Sequence, residues 1–275
     1  SKREGTTFVQ KVLVRAIAIL LALVVDAFFI FFVTGLNPIS VYGVMWNGTF
    51  MNTTRFSWAL RDLSSLLCIA IALAPAFKMR FWNIGGEGQV LIGGVLATVV
   101  GLLVDVPKPL LLMLTTMAAI AGGALWGVIP GLLKARFNVH EVVSGIMMNW
   151  IAYWITYYLM PAYFKGAYET ETRYIPEAAS LKVSWLTSMF AGSYINIGLF
   201  LAVIAVIIVA VVLDKTVLGY QLKAVGFNRH AAEYAGISVN RNIVLSMMIA
   251  GALSGLGGAA IYTGYASSMQ IGVMP

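Results

Sequence analysis

The sequence predicts an all-α, polytopic integral membrane protein, and three observations carry that prediction. Of its 275 residues 60% are hydrophobic and 11% charged, against roughly 45–50% and 25% in an average soluble domain. Seven apolar runs approach the roughly 20 residues that a helix needs to cross a hydrocarbon core about 30 Å thick. Most of the charges fall between these runs, with basic residues concentrated in alternate connections. An ordinary water-soluble enzyme is excluded on these grounds.

The first run, Val12 to Gly35, is too long and continuous for a signal-peptide core, and no small-residue cleavage site follows it. It reads as a retained span, while the absence of an initiating Met reads as a trimmed terminus. Asp26 lies inside this run, where a charge costs on the order of 2.5–3.5 kcal/mol. It is either a functional group on a path or a neutral or paired residue facing the bundle. The second run, Leu63 to Phe77, would be only roughly 22 Å long as a helix. It ends with Pro75, close to the polar, glycine-rich stretch Asn83-Ile84-Gly85-Gly86-Glu87-Gly88-Gln89. Such interrupted segments point to discontinuous helices at a transport site, but a plain cytoplasmic hairpin would need the same glycines; periodicity leaves both open.

The remaining runs are Val90 to Val106, Leu110 to Leu133, Val142 to Phe164, Ile195 to Leu213 and Asn242 to Tyr265. Small residues recur at four-residue spacing in two of them: Gly123, Gly127 and Gly131, and Gly251, Gly255 and Ala259. That spacing lets backbones approach closely, so these helices are expected to pack against neighbours.

Basic residues near span ends favour the cytoplasm. With the N-terminus inside, twelve of the eighteen Lys and Arg fall in inner segments: Lys2, Arg3, Lys11, Arg15, Lys78, Arg80, Lys134, Arg136, Lys215, Lys223, Arg229 and Arg241. The other six, Arg55, Arg61, Lys108, Lys165, Arg173 and Lys182, fall outside. The net charge of +7 therefore reads as an orientation signal, and nucleic acid is not an expected partner.

Catalytic signatures are missing. His140-Glu141-Val142-Val143-Ser144 begins like a zinc-protease motif, but Ser144 stands where a second His is required. Ser254 has no His in any predicted span to activate it. No P-loop occurs, so ATP hydrolysis would fall to a partner. Cys68 is the single cysteine, which excludes a disulfide framework. No metal site or bound cofactor is expected.

The most informative polar segment runs over 214–241. Asn228 is a good N-cap, Arg229 to Ala235 can make two short helical turns, and Gly236 supplies a left-handed C-terminal cap. Gly219-Tyr220-Gln221-Leu222-Lys223-Ala224-Val225-Gly226-Phe227-Asn228, followed by Ala231-Ala232 and Gly236-Ile237, resembles the coupling loop of ABC importer permeases of the branched-chain amino acid, simple sugar and nucleoside group. Asn83 to Gln89 resembles the Asn-Ile-Gly-x-Glu-Gly-Gln signature of that group. Gly35-Leu36-Asn37-Pro38-Ile39, and Glu141 followed by Ile146-Met147-Met148-Asn149-Trp150-Ile151-Ala152, are similar to stretches of nucleoside-type permeases.

The resemblance implies a single permease domain over 1–275 that forms half of a translocation path in the cell membrane, with a cytoplasmic N-terminus. Asn228, Arg229, Ala231, Ala232 and Gly236 would dock on a separate ATPase subunit that holds the ATP and Mg. A second homologous permease subunit would complete the path, and an extracytoplasmic substrate-binding protein would dock on an external loop over 165–194. Family members run on past the position matching Pro275 with further helices, so a truncated chain is expected. A nucleoside is neutral, with a flat base and a hydroxylated sugar, and suits hydrogen-bonding amides and aromatic faces. The candidates are Asn83, Glu87 and Gln89, Asn149 with Tyr153 one turn further on, and Asp26. Glu87 could instead cap the helix that follows, and Tyr153 could belong to an aromatic belt. A simple sugar or a branched-chain amino acid is the alternative substrate, and an ion-coupled secondary transporter, with Asp26 as its ion site, the alternative class.

Overall fold

The computed structural model describes residues 8–272 and 274–275. Lys2 and Arg3, counted above toward the inner charge, lie outside the described residues, as does the side chain of Lys11. The chain divides into two compact units, Ser1–Phe56 and Ser57–Pro275.

The first unit holds α1 (Phe8–Thr34) and α2 (Pro38–Phe50). None of the described side chains of α1 is buried, which for so apolar a helix requires lipid or protein around it. Gly35 ends it at φ +70. Helix α2 was not foreseen as an element of its own. Asn37 caps it by accepting from the Ile39 amide at 2.9 Å, and Pro38 follows at the first helical position, where its missing N–H costs nothing.

The second expected span is longer than its apolar run. Helix α3 covers Thr53–Lys78, 26 residues, so the short, interrupted segment read from the sequence is replaced by a full-length helix with Pro75 near its end. The apolar run starts only at Leu63 because Arg61 and Asp62 precede it. The two side chains pair with each other at 2.8 Å, which lets the helix continue through them.

Then follow α4 (Gly86–Leu103), α5 (Lys108–Phe137), α6 (Glu141–Phe164), a 3-10 turn at Glu177–Ala179, α7 (Ser184–Met189), α8 (Gly198–Lys215), α9 (Val217–Phe227), α10 (Arg229–Tyr234) and α11 (Val239–Tyr262). All seven apolar runs therefore form helices. Six helices among the described residues are long and apolar enough to cross a membrane. The exception is α6, which has the length, 24 residues, but carries Trp150, Tyr153, Trp154, Tyr157 and Tyr158 beside Asn149.

Helices α4, α5 and α11 make the most extensive contacts, and small residues are the reason. A Cβ on Gly123 would strike the Gly251 carbonyl, one on Gly127 the Met247 carbonyl, and one on Gly255 the Ala119 carbonyl. The stripes seen in the sequence thus face each other across α5 and α11, the packing role expected of them. Ser254, within this seam, is fully buried.

Helix α11 fixes two ends. Its first turn follows α10, and its last residue lies roughly 36 Å away by helix rise. At that far end the loop over 165–194 is bound to the chain following α11: Leu181 N–H donates to Thr263 O at 2.8 Å, Ile175 N–H to Ser267 O at 2.8 Å and Thr172 N–H to Met269 O at 3.0 Å.

Candidate functional site

At the α10 end, the glycine-rich stretch closes the start of α4. Asn83 and Gln89 exchange hydrogen bonds: Asn83 Nδ2 donates to Gln89 Oε1 at 2.9 Å, and Gln89 Nε2 donates back to Asn83 Oδ1 at 3.1 Å. Asn149 of α6 reaches across, accepting from the Gly88 N–H at 2.9 Å and donating to Ile84 O at 3.0 Å. The Gly88 amide belongs to the first turn of α4, where backbone donors have no partner within the helix; Asn149 supplies one from another helix. A Cβ on Gly88 would stand 2.9 Å from Asn149 Oδ1, and one on Gly145 2.9 Å from Gly85 N, so glycine at both places permits the contact.

The three amides, each under 7% exposed, are thus engaged with protein partners, and the structure brings Asn83, Gln89 and Asn149 into one cluster. Glu87 is exposed in the first turn of α4, where the helix dipole favours an acid. Tyr153 stands apart from this cluster. Half-buried, it stacks with Tyr157 at 6.1 Å between ring centroids and directs its hydroxyl to Gly272 O at 3.4 Å. Asp26, in the first unit, is exposed and meets the Tyr42 hydroxyl 3.2 Å from Oδ2.

Helix α10 is built as its sequence predicts. Asn228 Oδ1 accepts from the Ala231 N–H at 3.1 Å. Gly236, at φ +80, adopts the left-handed conformation that glycine tolerates, and Ile237 N–H closes onto Ala232 O at 3.0 Å. Ala232 is the buried face, whereas Arg229, Ala231 and Tyr234 are exposed, Tyr234 by 95%.

This short helix is anchored on the α3–α4 turn. A Cβ on Gly226 would strike the Lys78 carbonyl, so the end of α9 lies directly on the end of α3. The Arg80 guanidinium is 6.0 Å from the Phe227 ring centroid, and that of Arg229 is 4.8 Å from the ring of Phe81. Lys134, 5.8 Å from the same Phe81 ring, forms a largely buried ion pair with Glu141 at 3.0 Å.

The opposite end holds a cleft of about 650 Å³ between α3 and the last turn of α11 with the chain beyond it. Asp62, Ser65, Tyr262, Tyr265, Ser268 and Gln270 give it polar and aromatic walls. The Arg61 guanidinium lies 4.4 Å from the Tyr265 ring centroid, while its Nε donates to Asp62 Oδ1 at 2.8 Å. Ser65 donates to the Asp62 carbonyl at 3.0 Å, and Ser268 to the Glu171 carboxylate at 3.0 Å. The volume falls within the range of about 300–1,000 Å³ usual for small-molecule sites.

None of these residues was a sequence candidate. The signal available was the charged pair Arg61-Asp62 adjoining an apolar run, since charge within a spanning helix marks function by default. It was read as loop charge instead.

A bundle of membrane-length helices with a polar cleft at one end and an exposed, capped helix at the other defines a multi-pass membrane permease. The family described as "Branched-chain amino acid transport system / permease component" matches residues 55–274; the chain belongs to that family. It is 41% identical over 247 residues to the guanosine ABC transporter permease protein NupP of Bacillus subtilis, covering 90% of this chain and 70% of NupP. It is 36% identical over 262 residues to the nucleoside ABC transporter permease protein NupB of Lactococcus lactis, covering 93% and 72%. To the glucose ABC transporter permease protein TsgB13 of Haloferax volcanii it is 30% identical over 239 residues, covering 83% and 62%. No solved structure matches the chain.

Proposed function

We propose that this chain is the transmembrane permease subunit of an ATP-binding-cassette importer of nucleosides, with no catalysis of its own. The observation that carries the reading is the pairing of the Tyr265 cleft at one end of the bundle with helix α10 at the other. A nucleoside offers a flat base and hydroxyls without net charge, and the cleft offers the aromatic face of Tyr265 and the donors and acceptors of Ser65, Ser268 and Gln270, with the charge of Asp62 on its wall paired to Arg61. The similarity to NupP and NupB supports that substrate class.

In this mechanism the N-terminus and α10 are cytoplasmic, and the whole chain acts as one permease domain. Asn228, Arg229, Ala231, Ala232 and Gly236 form the coupling helix, seated in a groove of a separate ATPase subunit that carries ATP and Mg. A substrate-binding protein delivers nucleoside at the loop over 165–194, and a second homologous permease subunit completes the path. ATPase closure then moves α10, and with it the α3–α4 turn through Phe81. Asn83, Gln89 and Asn149 serve the path by fixing the start of α4 against α6. Glu87 is the polar group beside them with accessible surface, and Tyr153 lines the path further along α6, with Tyr157. Asp26 has its place on α1, paired with Tyr42.

Uptake of radiolabelled guanosine by the reconstituted complex, challenged with uridine, adenosine, glucose, ribose and leucine, tests the substrate class. Competition by nucleosides alone is expected. Competition by glucose or ribose in their place moves the substrate to a sugar, the reading that the similarity to TsgB13 favours, and competition by leucine moves it to an amino acid. Transport by the purified chain under an ion gradient, without an ATPase, overturns the mechanism.

A further inference from the structure

The end of the second unit that carries the loop over 165–194 holds another cleft, of about 490 Å³. Lys108, at the start of α5, and Lys182 line it, and Lys108 Nζ donates to the Lys182 carbonyl at 3.0 Å. The Lys182 ammonium lies 4.5 Å from the Tyr194 ring centroid. Glu177 is the carboxylate on the wall, yet among the described residues neither lysine forms an ion pair. Burial draws the Lys182 ammonium below the usual lysine range. Ser193, which is 5% exposed, borders the same cleft, and its hydroxyl has no hydrogen-bond partner. Two ammonium groups that form no ion pair, beside a buried hydroxyl without a hydrogen bond, favour an anion, which would match both charges and the hydroxyl at once.

A second, apolar cleft has a volume of about 260 Å³. Consecutive residues link the two, since Leu181 lines the apolar cleft and Lys182 the basic one. Along α5 the same continuity follows from helix geometry: Leu112 and Thr116 of the apolar cleft repeat at four-residue intervals from Lys108, on one face. Ile197 and Leu201 form the opposite wall. Helix α5 is long and apolar enough to span a membrane, so Lys108 marks where it leaves the hydrocarbon and meets the headgroup layer.

We propose that the two clefts together form a binding site for one anionic phospholipid. Its phosphate is held by the ammonium groups of Lys108 and Lys182 and by the Ser193 hydroxyl, and one acyl chain lies along Leu112, Met117, Ile197 and Leu201. A carboxylate presented by a docking protein would match the lysines but would leave the apolar cleft unfilled. A lipid fills both.

Native mass spectrometry of the full transporter, purified with its partner subunits and exposed to phosphatidylglycerol or phosphatidylcholine, tests this. Phosphatidylglycerol should be retained more strongly, on the order of tenfold as two interfacial lysines allow. The preference should vanish in the Lys108→Ala, Lys182→Ala double variant and survive in the Lys108→Arg, Lys182→Arg pair. Thr116→Trp, which fills the apolar cleft, should lower retention with both lysines in place. An unchanged thermal unfolding midpoint separates loss of lipid from loss of fold. Equal retention of the two lipids, or a preference that the alanine pair leaves intact, overturns the proposal. So does displacement of the lipid by millimolar inorganic phosphate alone, or an alanine pair that weakens capture of the binding protein while lipid retention stays the same.

Discussion

The guanidinium of Arg229, the first residue of α10, lies 4.8 Å from the ring centroid of Phe81 on the α3–α4 turn. Phe81 is 1% exposed, so the ring is a buried seat for an otherwise exposed helix, and Lys134 approaches the same ring from α5. Asn83 follows within the same turn and bonds Gln89 in the first turns of α4, which joins the seat of α10 to the start of α4. In the proposed mechanism the Phe81 ring is the place where movement of α10 would reach the bundle.

Phe81→Leu keeps most of the buried volume while removing the aromatic face, a class of exchange that costs less than about 1.5 kcal/mol. Folding should survive, and ATP hydrolysis by the assembled transporter should no longer track nucleoside uptake. Arg229→Ala should do the same, and Phe81→Tyr should restore coupling. Parallel ATPase and uptake assays in proteoliposomes check this; full coupling in Phe81→Leu would dissociate the ring from the mechanism.

Asn149→Leu leaves the Gly88 amide without its partner. An unsatisfied buried donor costs about 1–3 kcal/mol, and the thermal unfolding midpoint in detergent should fall accordingly. Asn149→Asp keeps an acceptor for Gly88 but loses the bond to Ile84 O, so its midpoint should lie between those of wild type and Asn149→Leu.

Gly251→Ala places a Cβ against the Gly123 carbonyl. Overpacking of a tight contact costs about 1–3 kcal/mol, and the seam has no flexible side chain there to yield. Gly43→Ala in α2 is the control, since a Cβ there meets nothing within 4 Å, and it should be neutral or slightly stabilising. Comparable destabilisation of both would remove the α5–α11 seam as the reason for the small residues.

Tyr265→Ala should raise the KM for nucleoside uptake roughly tenfold, the loss of one stacking contact of about 1–3 kcal/mol. Tyr265→Phe should restore most of the affinity because it keeps the ring. Concentration-dependent uptake measures both, and a Tyr265→Ala protein with wild-type KM would place substrate elsewhere.

Cys68 is fully buried and should resist a membrane-impermeant maleimide until the protein unfolds. Introduced thiols at Tyr234→Cys and Ser188→Cys, both at exposed positions, should react in a Cys68→Ala background. With α10 cytoplasmic, the first should label only in inside-out vesicles and the second only in right-side-out cells. Labelling of both from one face would overturn the orientation.

Local features were legible where the chain carries them in consecutive residues. Apolar runs placed seven helices, because the hydrocarbon core imposes one length on each. Asn228 and Gly236 bracketed α10, because capping is settled within a few residues of a helix end. The pattern failed where charge is neutralised locally. Arg61 and Asp62 broke the apolar run of α3, and only their pairing and the ring of Tyr265 explain why the helix runs through them.

The amino-acid sequence by itself determined the seven apolar helices, the caps of α10 and the small-residue stripes that let α5 and α11 touch. Tertiary structure decided which polar groups have partners. It turned Asn83, Gln89 and Asn149 toward one another, gave Asp26 the Tyr42 hydroxyl, and opened a cleft between Asp62 and Tyr265, which no spacing in the chain connects. The physical reason is range: a cap or a span is set by neighbours in sequence, whereas a hydrogen bond between helices depends on how packing brings distant residues together.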